Sequence, residues 1–359
     1  MHNILVSDIG GTNCRFFCVQ INPDKPLDHT ILHSRVYKTA SKESLEQATD
    51  CYLKELGDEI KRPNYFAIAI AGAPKNNKIL HLANIPWESG ADGNYIAEKF
   101  GFMECKLMND FEAVGYAALN LNYNEFVCLQ KSTRKEDNKL VIAGLGTGLG
   151  VCSVIHTDNP IQFKVVPSES GHLPLGITNR EEYEYERFVA KELEMTGLRY
   201  TDSEYLVCGK GIPYLFKFIH RKVKGKDLEG GDIDGKAVTE LLKKHEDIRK
   251  VFLEWFCKIL GRIINNLIKL NLVNGGKIIL GGIVYIYFDL FFKKDKGKFF
   301  DSIRPSLYND SIFGEIIEKV SIYIYPNDNS VFALDGAINY KLLRYFSSGL
   351  INQLTQKAN

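Results

Sequence analysis

The sequence lacks the long runs of one chemical kind that mark several classes of protein. Its 45 lysines and arginines are balanced by 44 aspartates and glutamates, and no basic stretch is long enough to follow a phosphate backbone. The longest apolar helical segment, Val251 to Leu272, contains four charged residues, which would be costly at bilayer depth. We therefore expect no nucleic-acid partner and no membrane span.

Paired cysteines and a leader pattern are missing as well. The eight cysteines are scattered without a Cys-x-x-Cys pair, so the sequence encodes neither a zinc site nor a redox motif. In the stretch from Met1 to Gln20, no basic segment precedes a long apolar one, and Asp8 and Arg15 interrupt the hydrophobic residues. We infer no secretion signal, and reduced thiols in a cytoplasmic protein are the expectation.

Strand and helix patterns alternate in the first part of the chain. Asn3 to Ile9 and Cys14 to Gln20 are apolar strands joined by a glycine turn, which predicts a β-hairpin. Ser41 to Leu56 follows as a predicted helix, and the continuous apolar run Tyr65 to Ala71 is typical of a strand buried on both faces. This alternation indicates an α/β lobe.

A second hairpin repeats the device of the first. Leu140 to Leu145 and Val151 to Ile155 are predicted strands on either side of Gly146-Thr147-Gly148. The repetition predicts a duplicated architecture in which both turns face one cleft. We predict a small α/β domain formed by residues 1–112 and about 331–359, and a large, more helical α/β domain formed by residues 113–330.

The first turn combines a carboxylate with residues that let a phosphate come close. Asp8 ends a strand, Gly10 and Gly11 have no Cβ, and Thr12 and Asn13 carry hydrogen-bonding side chains. Asp8 could reach Mg²⁺ directly or through water, and the turn could bind phosphate oxygens. When the two glycines are taken alone, an ordinary hairpin turn is the favoured explanation.

The second turn has glycine at every other position from Gly144 to Gly150, so one face of an extended chain there has no side chains. Either a ligand approaches that face or the chain turns a tight barrel corner. The segment is neither Gly-x-Gly-x-x-Gly before a helix nor a phosphate-binding loop ending in Lys-Ser/Thr, which disfavours the nucleotide folds that use those motifs.

Six short motifs in one order resemble the bacterial-type glucokinase family of the actin, sugar kinase and chaperone ATPase superfamily. They run from about residue 4 to about residue 345: Asp8 to Asn13, Asn109-Asp110-Phe111-Glu112-Ala113, Gly144 to Gly150, Glu169-Ser170-Gly171-His172, Gly281-Gly282-Ile283 and Gly336-Ala337. The resemblance implies a two-lobed, actin-like (ribonuclease H-like) ATPase fold, with duplicated mixed-sheet cores and a cleft between the lobes.

The resemblance also implies a catalytic carboxylate. Asp110 would accept the proton of the sugar 6-hydroxyl as that oxygen attacks the γ-phosphorus of ATP, and Asn109 would hold a sugar hydroxyl. An Asp before Phe-Glu-Ala-Val is also a good helix N-cap, which is the alternative role for Asp110.

Other sugar ligands follow from the same resemblance. Glu169 and His172 would bind pyranose hydroxyls from a loop in which Ser170 stands where the family has glycine, so the loop path could differ. Glu204 would bind two hydroxyls, or else begin a solvated helix. Asn84 resembles a sugar-proximal asparagine of the family, although a turn beside a buried Trp87 explains it too.

The nucleotide would contact both turns and two later glycine motifs. The implied residues are Asp8 for Mg²⁺, with Gly10, Gly11, Thr12, Asn13, Gly146, Thr147, Gly148, Gly281, Gly282 and Gly336 for ATP. The resemblance therefore predicts an enzyme that binds glucose and ATP. A homodimer is one assembly that the sequence leaves open. A kinase for another hexose or an N-acetylhexosamine stays open, and a non-sugar ATPase of the superfamily is disfavoured by Asn109, Glu169, His172 and Glu204 together.

Overall fold

The structure is a computed structural model of the chain. It describes residues 2–22, 24–82, 85–132, 139–156, 163–194, 201–229, 231–308, 313–326 and 336–340. Predicted site residue Asn84 lies outside the described residues, and so do most of the residues from about 331 to 359 that we assigned to the small domain.

Strands and helices alternate as the sequence patterns predict. The strands are β1 His2–Ile9, β2 Asn13–Asn22, β3 Lys25–Lys38, β4 Tyr65–Ile70, β5 Lys78–Ile79, β6 Ala91–Asp92, β7 Glu104–Asn109, β8 Val127–Gln130, β9 Lys139–Leu145, β10 Leu149–His156, β11 Phe163–Ser168, β12 Lys277–Gly282 and β13 Ser321–Ile324. The helices are α1 Leu45–Leu56, α2 Gly93–Phe100, α3 Asp110–Tyr116, α4 Arg180–Glu192, α5 Ser203–Val207, α6 Ile212–Lys224, α7 Gly235–Lys244, α8 Glu246–Asn271, α9 Ile283–Phe291, α10 Lys296–Leu307 and α11 Gly314–Glu318. Residues 336–340 are also helical.

The chain divides into two compact units. The first consists of Met1–Asn122, Val154–Pro167 and Asp328–Asn359, and the second of Tyr123–Ser153 and Ser168–Asn327. Each has its own apolar core. The domain boundaries drawn from the sequence stay a prediction.

The first sheet has five strands in the order β3-β2-β1-β4-β7. The predicted hairpin is confirmed, because β1 and β2 pair antiparallel from His2↔Ile21 to Ile9↔Cys14. β4 and β7 add in parallel, with Ile9, Ile70 and Asn109 in register at the carboxyl edge. Pattern reasoning missed β3, an edge strand whose exposed Ile31 and Val36 break the apolar alternation on which strand prediction depends.

The second sheet has six strands in the order β11-β10-β9-β12-β13-β8. If β9, β10, β11, β12 and β13 are numbered one to five along the chain, they lie in the order 3-2-1-4-5. The five strands of the first sheet lie in the same order. β12 joins β9 and β13 in parallel, and β8 is antiparallel to β13. The repeated order bears out the duplicated mixed-sheet architecture.

Local sequence explains how the helices begin. Ser44, Asn179 and Asp234 each accept a backbone N–H of the first turn, as good N-cap residues do. The predicted helix start at Ser41 was wrong: Thr39–Ser41 form a short 3-10 turn, and α1 begins after the Ser44 cap. Within the described residues, no helix is both long and apolar enough to cross a bilayer.

Candidate active site

The first unit presents a carboxylate at the end of β1. Asp8 is 8% exposed, and its Oδ2 lies 2.9 Å from Nη1 of Arg15, the residue opposite it on β2. The pairing of β1 with β2 therefore places the Arg15 guanidinium beside the Asp8 carboxylate, near the turn that joins the two strands. Arg15 was noticed in the sequence only as a charge in an apolar stretch, and antiparallel register is what makes it part of the site.

The turn that follows is open to solvent and braced from one side. The Gly10 N–H donates to the Asn13 carbonyl at 3.0 Å, while Gly11 and Thr12 are exposed. Buried Thr39 donates its hydroxyl to the Gly10 carbonyl at 2.7 Å and its N–H to the Thr12 carbonyl at 3.1 Å. A Cβ added at Gly10 would meet no atom within 4 Å. The turn therefore has room for a ligand and a fixed backbone.

Asn109 and Asp110 stand where β7 passes into α3. The Asn109 side chain accepts the N–H groups of Phe111 and Glu112 at 2.9 and 3.1 Å and donates to the Gly72 carbonyl at 2.9 Å. Asn109 is thus the N-cap, the role considered for Asp110 as an alternative, and Asp110 is the first residue of the helix. Because Asn109 caps the helix, Asp110 is not the capping residue. The half-buried Asp110 carboxylate lies at the carboxyl edge of the sheet.

Gly336 packs on this same helix. A Cβ at Gly336 would fall 1.5 Å from the Ala113 carbonyl oxygen, and the Asn339 side chain donates to the Tyr116 carbonyl at 3.0 Å. The glycine therefore lets residues 336–340 approach the backbone of α3. Its contact with nucleotide stays a prediction.

The second turn, between β9 and β10, is hydrogen-bonded to another segment of the second unit. The Gly146 N–H donates to the Gly148 carbonyl at 2.8 Å, and the Gly146 and Thr147 carbonyls accept the N–H groups of Gly209 and Lys210 at 2.8 and 3.1 Å. The Thr147 side chain is exposed beyond this frame. These bonds fix the turn to the segment that follows α5.

Gly281 and Gly282 lie beside this turn, in register with Gly144 and Leu145 of the neighbouring strand. Gly282 has φ +70°, and a Cβ there would fall 2.3 Å from the Leu145 carbonyl oxygen. Its glycine is required by backbone conformation and by close packing between β12 and β9.

Three of the predicted sugar ligands come together in the second unit. Nε2 of His172 lies 3.8 Å from Oε2 of Glu169 and 3.8 Å from Oε2 of Glu204. Both gaps are longer than a hydrogen bond, so a hydroxyl group could bond to these atoms. Glu169 and His172 are exposed, whereas Glu204 is 6% exposed.

Asp202, which the sequence reasoning did not select, orients the imidazole. Its Oδ2 lies 2.9 Å from Nδ1 of His172, and its Oδ1 caps α5 by accepting the Tyr205 N–H. A carboxylate only accepts, so Nδ1 carries the proton and Nε2 faces the two glutamates. The bond to Asp202, followed by the charges of Glu204, Asp202 and Glu169, raises the pKa of His172 despite its partial burial.

Glu204 joins the sugar-ligand cluster to the second glycine turn. Its Oε2 accepts the Leu149 N–H at 3.3 Å, and its Oε1 lies 3.2 Å from Nζ of Lys210. A Cβ at Gly148 would fall 2.4 Å from Oε2 of Glu204. Gly148 therefore leaves the space that the Glu204 carboxylate occupies. The spacing of glycines in the sequence could not have shown this reason for a glycine.

Ser170 is accommodated without a left-handed backbone. Residues Ser170–His172 form a 3-10 turn, and Ser170 does not have a positive φ. The close approach is at Gly171, where a Cβ would fall 2.0 Å from the Leu149 carbonyl oxygen. The serine thus leaves the loop path compatible with the cluster.

The structure therefore gathers the predicted residues into two sets, one in each unit. Asp8, the first turn, Asn109, Asp110 and Gly336 belong to the first set. The second contains the second turn, Gly281, Gly282, Glu169, His172 and Glu204. Tertiary contacts add four residues that no sequence motif indicated as part of the site: Arg15, Thr39, Asp202 and Lys210.

Comparison with known proteins supports the same family. A glucokinase family model matches residues 5–337. The glucokinase of Erwinia tasmaniensis is 31% identical over 312 residues, covering 84% of this chain and 90% of that one. Among solved structures, a glucokinase from an Antarctic psychrotroph superposes with a TM-score of 0.71 at 25% identity, covering 95% of this chain and 98% of that one.

A glucokinase from Balamuthia mandrillaris, solved in complex with glucose, has a TM-score of 0.73 at 20% identity. The match covers 94% of this chain and 92% of that one, and it shows a shared fold. Because the family match spans nearly the whole length, this chain belongs to the glucokinase family.

Proposed function

We propose that the chain transfers the γ-phosphoryl group of ATP to the 6-hydroxyl of glucose. The observation that carries the proposal is the cluster of His172, Glu169 and Glu204, in which a fixed imidazole faces two carboxylates across gaps of 3.8 Å. Sugar hydroxyls both donate and accept, so such a cluster can bind several of them at once. Family membership supplies the independent reason for choosing glucose.

Asp110 is the proposed general base. The 6-hydroxyl gives its proton to the Asp110 carboxylate while its oxygen bonds to the γ-phosphorus, and ADP leaves with the electrons of the broken P–O bond. The carboxylate is held at a strand-to-helix junction by the Asn109 cap, so positioning is supplied by the fold. The amide oxygen of Asn109 already accepts the N–H groups of Phe111 and Glu112. Any hydrogen bond from Asn109 to the sugar must therefore be made in addition to these two.

Both glycine turns are proposed to hold the nucleotide. The first offers exposed Gly11 and Thr12 next to Asn13, and the second offers exposed Thr147. Lys210 beside Glu204 and Arg15 beside Asp8 reduce the repulsion that two carboxylates would exert on phosphates.

Mg²⁺ is proposed to accompany ATP at Asp8. Protein sites for this ion commonly supply one or two carboxylates and leave the rest of the shell to phosphates and water. Asp8 supplies one such carboxylate, one residue before the end of β1 and beside an open turn. When bound, the ion would neutralise charge on the phosphates. The cytoplasm, where ATP and glucose are both available, is the proposed location, and a homodimer stays a prediction.

The test is ADP release from Mg-ATP with glucose, mannose, galactose, fructose, N-acetylglucosamine or no sugar. Release that depends on glucose supports the proposal, while preference for another sugar would reassign the acceptor. Strong release without any sugar would contradict it and favour a non-sugar ATPase.

Asp110→Asn provides the matched variant for this assay. It keeps the shape of the side chain and removes the base, so kcat should fall roughly 10²–10⁴-fold with little change in the melting temperature. Wild-type turnover in this variant would remove Asp110 from the mechanism.

A further inference from the structure

Lys210 contacts both the second glycine turn and the sugar-ligand cluster of Glu169, His172 and Glu204. Its backbone N–H donates to the Thr147 carbonyl at 3.1 Å, which fixes its backbone to the turn. Its side-chain Nζ lies 3.2 Å from Oε1 of Glu204. One residue therefore joins the two sets of predicted ligands in the second unit.

The Lys210 ammonium is also close to the turn. A Cβ at Gly148 would fall 2.8 Å from Oε1 of Glu204, the same oxygen that pairs with Lys210. One carboxylate oxygen thus separates the ammonium from the turn. The turn has room for a ligand, because a Cβ at Gly146 would meet no atom within 4 Å and the Thr147 side chain is exposed. A phosphate group that binds at this turn comes within reach of the flexible lysine.

The two members of this ion pair differ in how freely they can move. The Lys210 side chain is 30% exposed, whereas the Glu204 side chain is 9% exposed. Oε2 of Glu204 also accepts the Leu149 N–H at 3.3 Å. The ammonium can therefore leave the carboxylate by rotation of its own four-carbon stem, while the carboxylate stays near His172.

Electrostatics favours this movement when phosphate is present. Among the described residues, Lys210 is the only lysine or arginine in an ion pair with Glu204. A triphosphate carries several negative charges against the single charge of Glu204, and its oxygens accept charge-assisted hydrogen bonds from ammonium groups. The same ammonium therefore has two competing acceptors, one in each ligand set.

We propose that Lys210 is a nucleotide ligand that exchanges partners. It pairs with Glu204 when the second turn is empty, and it bonds to a phosphate oxygen of ATP when the turn is occupied. The exchange leaves Oε1 of the buried Glu204 carboxylate in need of another donor, and the hydroxyls of glucose are donors of that kind. Bound ATP therefore strengthens the binding of glucose. This inference rests on the proposed function, because it takes ATP and glucose as the two ligands.

Titration calorimetry on the full chain tests the coupling without any variant. The ligands are glucose and the magnesium complex of AMPPNP, an ATP analogue that does not transfer its terminal phosphoryl group. We expect saturating AMPPNP to lower the glucose Kd about fivefold or more, and saturating glucose to lower the AMPPNP Kd by the same factor. A glucose Kd that AMPPNP leaves unchanged would overturn the exchange.

Lys210→Met removes the ammonium and keeps an unbranched side chain and the backbone N–H. The AMPPNP Kd should rise about tenfold, the size of one hydrogen bond to a charged group, and the coupling factor should fall toward one. Lys210→Arg retains a cation and should retain both properties. Lys217→Met is the matched control, since Nζ of Lys217 also lies 3.2 Å from a carboxylate oxygen, Oε2 of Glu192, and its side chain is 20% exposed. Equal AMPPNP Kd values for the two Met variants would contradict the proposal.

Glu204→Gln tests the competition from the other side. It removes the charge that holds Lys210 away from phosphate, so AMPPNP should bind more tightly than to the unaltered chain. This gain should disappear in the double variant Glu204→Gln/Lys210→Met, because it depends on the lysine. A gain of equal size in both backgrounds would show relief of charge repulsion alone and would refute the exchange.

The outcomes separate this inference from the proposed function. Normal binding of both ligands without coupling would refute the exchange and leave the kinase function in place. Absence of glucose binding under any condition would refute the proposed function. In that case the AMPPNP Kd of Lys210→Met, compared with that of Lys217→Met, would still decide whether Lys210 binds phosphate.

Discussion

The two glycine turns look alike in sequence and differ in what surrounds them. In the first unit, a Cβ at Gly10 would meet nothing within 4 Å, and the turn is held by Thr39 from outside its loop. In the second unit, a Cβ at Gly148 would fall 2.4 Å from Glu204, and one at Gly282 would fall 2.3 Å from the Leu145 carbonyl. The same residue type therefore has two uses: Gly10 leaves space open, whereas Gly148 and Gly282 make room for other atoms of the protein.

This difference separates two kinds of effect that are often confounded. A glycine packed against protein should change the free energy of unfolding when it is replaced. A glycine facing open space should leave stability unchanged and affect only the binding of a ligand that approaches it. The four substitutions below are ordered by the size of the expected change in unfolding free energy.

Gly282→Ala should have the largest effect. It combines φ +70° with a clash against backbone, which cannot move independently of the sheet, so we expect a loss of roughly 3 kcal/mol or more in urea unfolding. Gly297→Ala is the control, because its Cβ would meet only Asp295 Oδ1 at an ordinary 3.4 Å. Equal midpoints for the two variants would contradict the packing argument.

Gly148→Ala should come next. The obstacle is the Glu204 carboxylate, which can shift, so we expect roughly 1–3 kcal/mol of destabilisation. The shift should also raise KM for glucose, because it moves Glu204 relative to His172. Gly146→Ala, with no atom within 4 Å of its Cβ, should keep the melting temperature. A stable Gly148→Ala protein with normal glucose kinetics would show that the position of the Glu204 carboxylate does not depend on a glycine at 148.

Thr39→Val tests the brace of the first turn. It removes the hydroxyl bonded to Gly10 while keeping the shape of the side chain, and should cost roughly 1 kcal/mol in unfolding free energy and raise KM for ATP. Thr39→Ser retains the hydroxyl and should retain the ATP kinetics. If both variants bind ATP like the parent, Thr39 does not position the turn.

Gly10→Ala should have the smallest effect on stability, within about 0.5 kcal/mol. If the open space is where phosphate approaches, KM for ATP should rise about tenfold, equivalent to 1.4 kcal/mol, with the melting temperature unchanged. Reduced stability with unaltered ATP kinetics would contradict the assignment of Gly10 to ligand binding rather than to packing.

Much of the architecture could be predicted because apolar periodicity is local. The hairpin of β1 and β2, the buried strand β4 and the long helix α8 follow from patterns confined to each segment. β3 could not be predicted in this way. Its stability comes from pairing with β2 at the sheet edge, which no pattern within the strand reveals.

The sequence by itself determined the family, the duplicated hairpins and the positions of Asp8, Asp110 and His172 at strand or loop ends, because these depend on residue type and spacing along the chain. Tertiary structure alone decided which groups hold them. Arg15 reaches Asp8 through strand register, and Asp202 reaches His172 from a loop 30 residues away. Such pairings depend on distances across space, since a hydrogen bond or a clash is felt within a few ångströms whatever the separation in sequence.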